Sequence, residues 1–339
     1  MWYGTSVLAV LLVPFSWVYR AIIALRRASY RAGYLKSVSC SVPVIVVGNV
    51  TVGGSGKTPL VAWLVAHLEA AGMRPGVVSR GYGGSAGRSP VIVGTDSRAG
   101  QVGDEPLLLA RRTGRPVCVC ADRVAAVQHL LREMDVNIIV ADDGLQHYRL
   151  RRDLELIVID GERGLGNGRL LPAGPLREPA ARLAEADLLF INGQAGEIPG
   201  YVPGYAPDHL FELAPGRVRA LHGTQSRDLG EFNAGPVWAV AGIGNPERFY
   251  ALLADSGIDY EPVAVADHGM IDLKSLVVEH DRPILMTEKD AVKYPEQSAA
   301  DVWWVPVDVR MTEETESVVT SKIKQMETAV SRRMNAGSR

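Results

Sequence analysis

Four glycines, a lysine and two threonines crowd into Gly48-Asn-Val-Thr-Val-Gly-Gly-Ser-Gly-Lys-Thr58, and this spacing suits a polyphosphate ligand. Phosphates need several converging backbone N–H donors, and glycines at 53, 54 and 56 let the main chain approach without side-chain obstruction. Lys57 then reaches the β- and γ-phosphates, and the Thr58 hydroxyl, in the first turn of a helix, is placed to ligate Mg²⁺. The expected nucleotide-binding set is Thr51, Val52, Gly53, Gly54, Ser55, Gly56, Lys57 and Thr58. The general pattern GxxxxGK[ST] asks for glycine where Thr51 stands, so the match is one residue short. An apolar run before the loop and a helical period after it favour a phosphate loop over a plain structural turn.

A second constellation supports the first. Asn137-Ile-Ile-Val-Ala-Asp-Asp143 reads as an apolar strand ending in paired carboxylates. At the carboxyl edge of a parallel sheet such groups face the ligand crevice and hold Mg²⁺ directly or through water, although paired aspartates also serve as helix caps. Thr58, Asp142, Asp143 and Glu105 are the candidate metal ligands. Gln146 and His147, just beyond, are polar groups able to bond to the metal shell or to phosphates.

The elements that must carry these groups follow an α/β alternation. Residues 42–47 read as a buried strand and 60–69 as a helix. Further strands are expected at 76–79, 116–120, 136–140, 156–159 and 188–191, with a helix at 123–133. Continuous Val, Ile and Leu runs suit parallel strands covered on both faces. The pattern restarts at Pro236, with strands at 237–241, 283–286 and 302–305 and a helix at 246–256. The Gly- and Pro-rich stretch 193–215 has weak periodicity and places a boundary near residue 230. The expected architecture is a P-loop NTPase-like core with a mostly parallel sheet over 37–230, a smaller C-terminal α/β domain over 231–325, a membrane-associating helix over 1–36 and a frayed tail over 326–339.

Composition narrows the partners. A formal net charge of −2 gives no global basic field, so nucleic acid is not an expected partner. Cys40, Cys118 and Cys120 form neither an even set nor a CxxC pair, and read as reduced thiols. Residues 1–19 carry no charge, and Arg20, Arg26, Arg27, Arg31 and Lys36 follow quickly. A secretory signal has its basic residues before the apolar run, the reverse of this order. Pro14 would interrupt a straight membrane span, but it can open a helix. Phe15, Val18, Tyr19, Ile22 and Leu25 then share one face, with Arg20, Ala24, Arg27 and Arg31 on another. That pattern suits a helix lying in an anionic membrane surface, and packing against its own domain is the plainer alternative.

The motifs GNVTVGGSGKTP (48–59), SRGYGG (79–84), GDEP (103–106), ADDGLQH (141–147) and LPAGPLREP (171–179), in this order, resemble the tetraacyldisaccharide 4′-kinases, the lipid A 4′-kinases of Gram-negative bacteria. Thr51 fits that resemblance, since the family's loop carries TVGG before the GK. The resemblance implies ATP and Mg²⁺ as cofactors, a lipid A disaccharide precursor as acceptor and a place at the cytoplasmic face of the inner membrane. A poorly nucleophilic sugar hydroxyl calls for a proton acceptor. The resemblance assigns that part to Asp104 together with His268 of the second domain, beside Lys57 as the third catalytic residue. It also fills the substrate and transition-state site with Arg80, Tyr82, Arg123, Gln146, His147, Arg177 and Glu178.

Two other classes compete. A P-loop GTPase reads guanine through [NT]KxD, but Thr287-Glu-Lys-Asp290 carries its lysine one place late. A non-catalytic membrane-peripheral ATP-binding protein would have no use for the candidate base residues.

Overall fold

Side chains alternate across a strand, so an unbroken apolar run needs cover on both sides. In β1 (Val44–Gly48), Ile45 and Val47 enter one apolar cluster, and Val44 and Val46 enter another on the opposite face. The structure is a computed structural model describing residues 2–3, 6–85, 89–94, 96–193, 208–266, 269–273, 276, 282–294 and 301–337.

Two helices come first, α1 (Val7–Leu11) and α2 (Val13–Arg31). After β1 follow α3 (Lys57–Ala70), β2 (Pro75–Ser79), β3 (Val91–Ile92), α4 (Ala99–Val102), α5 (Asp104–Thr113), β4 (Val117–Val119) and α6 (Arg123–Glu133). Next are β5 (Ile138–Asp142), β6 (Leu154–Asp160), β7 (Leu188–Asn192) and β8 (Asp208–Pro215). The chain then builds β9 (Val218–Ala220), β10 (Ser226–Arg227), β11 (Val237–Val240), α7 (Pro246–Asp255), β12 (Tyr260–Val263), β13 (Ile284–Thr287), α8 (Glu288–Ala291) and β14 (Val302–Val305). It closes with β15 (Val307–Arg310) and α9 (Glu313–Gly337).

Among the described residues the large sheet has the order β15-β8-β7-β6-β1-β5-β2-β4-β3. Its edge pairs, β15 with β8 and β3 with β4, are antiparallel, and the pairings between them are parallel. The second sheet runs β10-β9-β14-β13-β11-β12. In the large sheet, β1 lies between β5 and β6, and the parallel register sets Val47 beside Asp142. The carboxylate pair is thereby carried to the end of β1 from which the glycine loop departs.

The pairing corrects the expected division of the chain. The boundary near residue 230 and the domain 231–325 do not follow the sheets, because β9 pairs with β14 in the small sheet while β15 returns to pair with β8 in the large one. The smaller unit is therefore an insertion between β8 and β15, with Gly216 N donating to Pro306 O (2.9 Å) where the two crossings meet. The tail is corrected as well. Val319, Ile323, Met326 and Val330, spaced to share one helical face, are buried with Leu60 and Leu64 in the large core.

At the N-terminus, Pro14 sits in the first turn of α2, where a missing N–H costs nothing. Phe15, Val18, Ile22 and Leu25 are exposed, as are Val7, Leu8, Val10 and Leu11 of α1. Tyr19 turns inward instead, its hydroxyl donating to Arg177 O (3.2 Å). No helix among the described residues is long and apolar enough to cross a membrane.

Placing a charge on the core face of α9 tests its packing. Met326→Asp is expected to destabilise the protein by about 3 kcal/mol, read as a shifted urea midpoint. An unchanged midpoint would put the last turns of α9 in solvent.

Candidate active site

The phosphate loop has to be rigid while leaving its N–H groups for a ligand, so its supports come from outside. Gly53 and Gly56 adopt positive φ (103° and 91°), which side-chain-bearing residues disfavour. A Cβ at Gly56 would also collide with the Asn192 amide, whose Nδ2 donates to Ser55 O (3.1 Å). The segment after β6 pairs with the loop: Val52 N donates to Pro175 O (2.9 Å), Arg177 N to Val50 O (2.7 Å), and Thr51 bridges Leu176. Gln146 Nε2 donates to Asn49 O (3.1 Å), so this residue supports the loop.

Charge concentrates at the sheet edge. The Lys57 ammonium, at the first position of α3, lies 3.6 Å from Asp143 Oδ1. Arg177 Nη1 donates to both Asp143 oxygens (3.1 and 2.9 Å). Burial disfavours the Asp143 anion, but Lys57 and Arg177 outweigh it and hold its pKa down at about 2. Asp142 goes the other way. Burial, with Glu105 and Asp143 adding like charge, pushes its carboxyl up to about 7, against the opposing pull of Lys57. Ser79 Oγ donates to Asp142 Oδ2 (3.1 Å), while the buried Oδ1 has no hydrogen-bond partner among the described residues. An orphaned, buried carboxylate oxygen beside other carboxylates is what a divalent cation would satisfy, so these residues fit Mg²⁺.

The other expected residues divide into those on the cavity wall and those behind it. A cavity of about 1530 Å³ is lined by the loop, Arg80, Tyr82, Glu105, Arg123, Asp143, Gln146, His147, Arg177 and Glu178. Tyr82 is exposed, whereas Arg123 is buried and donates to Cys120 O (3.2 Å). Burial, aided by Arg123, lowers the His147 pKa to about 4, so its 3.7 Å approach to Asp122 joins a neutral imidazole and a carboxylate. Glu178 is almost fully buried and accepts from the Tyr148 hydroxyl (2.5 Å), which makes it an anchor for that ring. Asp104 opens α5 and is 8% exposed, and Glu105 beside it pairs with Lys289 at 3.2 Å. His268 lies outside the described residues.

Several wall residues were not expected at the site from the sequence. Tyr19, Ile22, Ile23 and Arg26 of α2 line the same cavity, as do Asn192, Asn245 and Arg248. Asn192 ends β7 as Asp142 ends β5, so a polar residue closing an apolar strand run was its available signal. Arg248 reaches Asp160 (3.3 Å) and the Asn192 carbonyl (3.2 Å) from the inserted unit. No pattern in the sequence pairs those two regions.

The strained Asp142 carboxyl makes a stability prediction. Its folded pKa lies above the ordinary value of 3.8, so between the two the folded protein keeps a proton the unfolded chain has released. This group's contribution therefore falls as pH rises through about 7. Asp142→Asn is expected to raise the Tm of the nucleotide-free protein by roughly 3 °C or more at about pH 8, a gain that shrinks toward about pH 5. A Tm difference that is flat across that range would count against the strained carboxyl.

A sequence model of the tetraacyldisaccharide-1-P 4′-kinase family, LpxK, matches residues 8–324. The chain is 47% identical over 319 residues to the tetraacyldisaccharide 4′-kinase of Alkalilimnicola ehrlichii, covering 94% of each chain. It is 48% identical over 310 residues to that of Halorhodospira halophila, covering 91% of each. The crystal structure of LpxK from Aquifex aeolicus in complex with ATP superposes with a TM-score of 0.80 at 28% identity, over 94% of this chain and 99% of that one. With its phosphate loop, carboxylate pair and inserted second unit, this chain belongs to the tetraacyldisaccharide-1-P 4′-kinase family.

Proposed function

We propose that the protein transfers the γ-phosphate of ATP to the 4′-hydroxyl of a tetraacylated glucosamine disaccharide 1-phosphate, working at the cytoplasmic face of the inner membrane. One observation carries this reading. A single cavity joins a phosphate loop to a helix that presents an exposed apolar row. A soluble acceptor would have no need of that helix beside the nucleotide site. A lipid acceptor can leave its acyl chains in the bilayer along α1 and α2 while its sugar enters between Tyr19, Ile22 and Arg26.

The residues divide the work. The loop N–H groups cradle the β- and γ-phosphates, and Lys57 follows the charge that builds on the transferring group. Asp142, Asp143 and Thr58, with Glu105 nearby, would hold Mg²⁺, which supplies charge neutralisation between the phosphates. Arg177, fixed by Asp143, presents its remaining N–H groups to phosphate oxygens, and Arg80 and Arg123 line the same wall. Asp104, with His268, accepts the proton of the 4′-hydroxyl as its oxygen bonds to phosphorus and ADP departs.

Two experiments test the proposal. Incubation with γ-labelled ATP, Mg²⁺ and the lipid disaccharide is expected to place label in the lipid, and label released only as inorganic phosphate would refute a kinase. Asp104→Ala and His268→Ala are each expected to lower turnover by about 10²–10⁴-fold with ATP affinity kept; ordinary turnover in either removes that residue as a base. The membrane reading is separable. Phe15→Asp with Val18→Asp is expected to abolish co-sedimentation with anionic phospholipid vesicles while ATP binding persists, and undiminished sedimentation would sink it.

A further inference from the structure

Lys293 is a buried cation that the mechanism above leaves without a part. Its side chain is 2% exposed, and its ammonium sits 2.7 Å from Asp290 Oδ1, donates to Gly269 O at 3.1 Å and lies 3.8 Å from Asp104 Oδ2. Those three groups come from different places. Asp290 belongs to α8 and Gly269 to the loop that follows β12, both in the inserted unit, whereas Asp104 begins α5 of the large one.

Asp290 cannot drift to follow the lysine. One of its oxygens accepts from Gly242 N (2.9 Å) and from the Thr287 hydroxyl (2.6 Å), and the residue is 1% exposed. The Gly269 end is fixed as well. Gly269 N donates to Ala266 O (2.7 Å), and a Cβ there would stand 2.8 Å from the same oxygen, so the loop keeps its tight turn only with glycine. The ammonium is therefore held by two rigid partners of the inserted unit, with its charge directed at the Asp104 carboxylate of the other. At 3.8 Å that contact is coulombic and not a hydrogen bond. Two neighbouring pairs, Lys289 with Glu105 (3.2 Å) and Arg112 with Glu288 (2.5 Å), close the same seam.

We propose that Lys293 is a positioning residue for phosphoryl transfer, a fixed charge that sets where the Asp104 carboxylate of the large unit stands relative to Gly269 and Asp290 of the inserted one. The inference rests on the reading of Asp104 as proton acceptor. Its rival is a purely structural lysine that serves only to neutralise Asp290.

The test uses the full-length protein with ATP, Mg²⁺ and the lipid disaccharide, comparing Lys293→Met, Lys293→Arg, Asp104→Asn and the double variant. Lys293→Met is expected to lower kcat about 30-fold or more with the KM for ATP within about twofold. Lys293→Arg, which keeps the charge, recovers most of that loss. In the Asp104→Asn background, adding Lys293→Met costs less than about threefold, because no carboxylate remains to be held. Should Lys293→Met fail to fold, Lys293→Gln, which can still donate to Asp290 and Gly269, is expected to show the same kcat loss at an ordinary Tm. Retained kcat in the neutral variants with Asp104→Asn inactive overturns this inference alone. So does a loss that multiplies fully with Asp104→Asn. Retained kcat in Asp104→Asn removes the base itself and with it any residue that positions it.

Discussion

A phosphate loop must keep its backbone N–H groups unpaired and still hold its shape. In this protein the rigidity is supplied by neighbours, through the pairing of Thr51 with Leu176, the hydrogen bonds of Val52 and Arg177 across the same seam, and the side chains of Gln146 and Asn192. The supporting segment is itself supported. Ser16 of α2 donates to Leu170 O (2.8 Å) and accepts from Ala173 N (3.0 Å), and Trp2 Nε1 donates to Pro172 O (3.0 Å). The helix with the exposed apolar row and the nucleotide loop are thus two sides of one wall. Its inner face supplies Arg177, which continues the chain of contacts to Asp143 and Lys57.

That arrangement explains why the two adjacent aspartates behave oppositely. Asp143 has φ of 47°, outside the sheet, and this turn swings its carboxylate to Lys57 and Arg177. Asp142 is still within β5, fully buried, with a hydrogen bond from Ser79 to one of its oxygens and Lys57 opposing its burial. The ladder that fixes the backbone leaves Asp142 little freedom to relax, so ionising it there costs stability. Two like residues in sequence receive different duties because one belongs to the strand and the next does not.

Much of this was legible in the sequence. The strands of the parallel sheet came from unbroken apolar runs, and the loop from its glycines and Lys57. The carboxylate pair came from its place at the end of such a run. What escaped depended on pairing across long separations. The stretch up to Pro215 reads as a linker because glycine and proline dominate its start, yet residues 208–215 form a strand whose partner, β15, lies at 307–310. The insertion topology and the burial of Met326 follow from that one pairing. Gln146 and Glu178 were expected to face substrate; both line the cavity, and their hydrogen bonds also tie them to Asn49 and Tyr148. From the sequence, a polar residue near a ligand and one supporting the residue that touches it look alike.

The insertion also governs how the two halves of the cavity meet. Both chain crossings are adjacent, at 216–217 and 306, and are tied by one backbone hydrogen bond, so any relative movement of the inserted unit turns about that point. Away from it, much of the contact is charged: Lys289 with Glu105, Lys293 with Asp104, Arg248 with Asp160, and Arg163 donating to Asn245 Oδ1 (2.6 Å). The partly exposed pairs among these, Lys289 with Glu105 and Arg248 with Asp160, contribute little net stability, so they align the units without locking them. Glu105 stands at the junction of both demands, close enough to Asp142 to raise its pKa on one side and paired with Lys289 of the inserted unit on the other. A cation entering beside Asp142 would compete with Lys289 for Glu105. Nucleotide binding and the seating of the second unit therefore draw on the same carboxylate and cannot be independent.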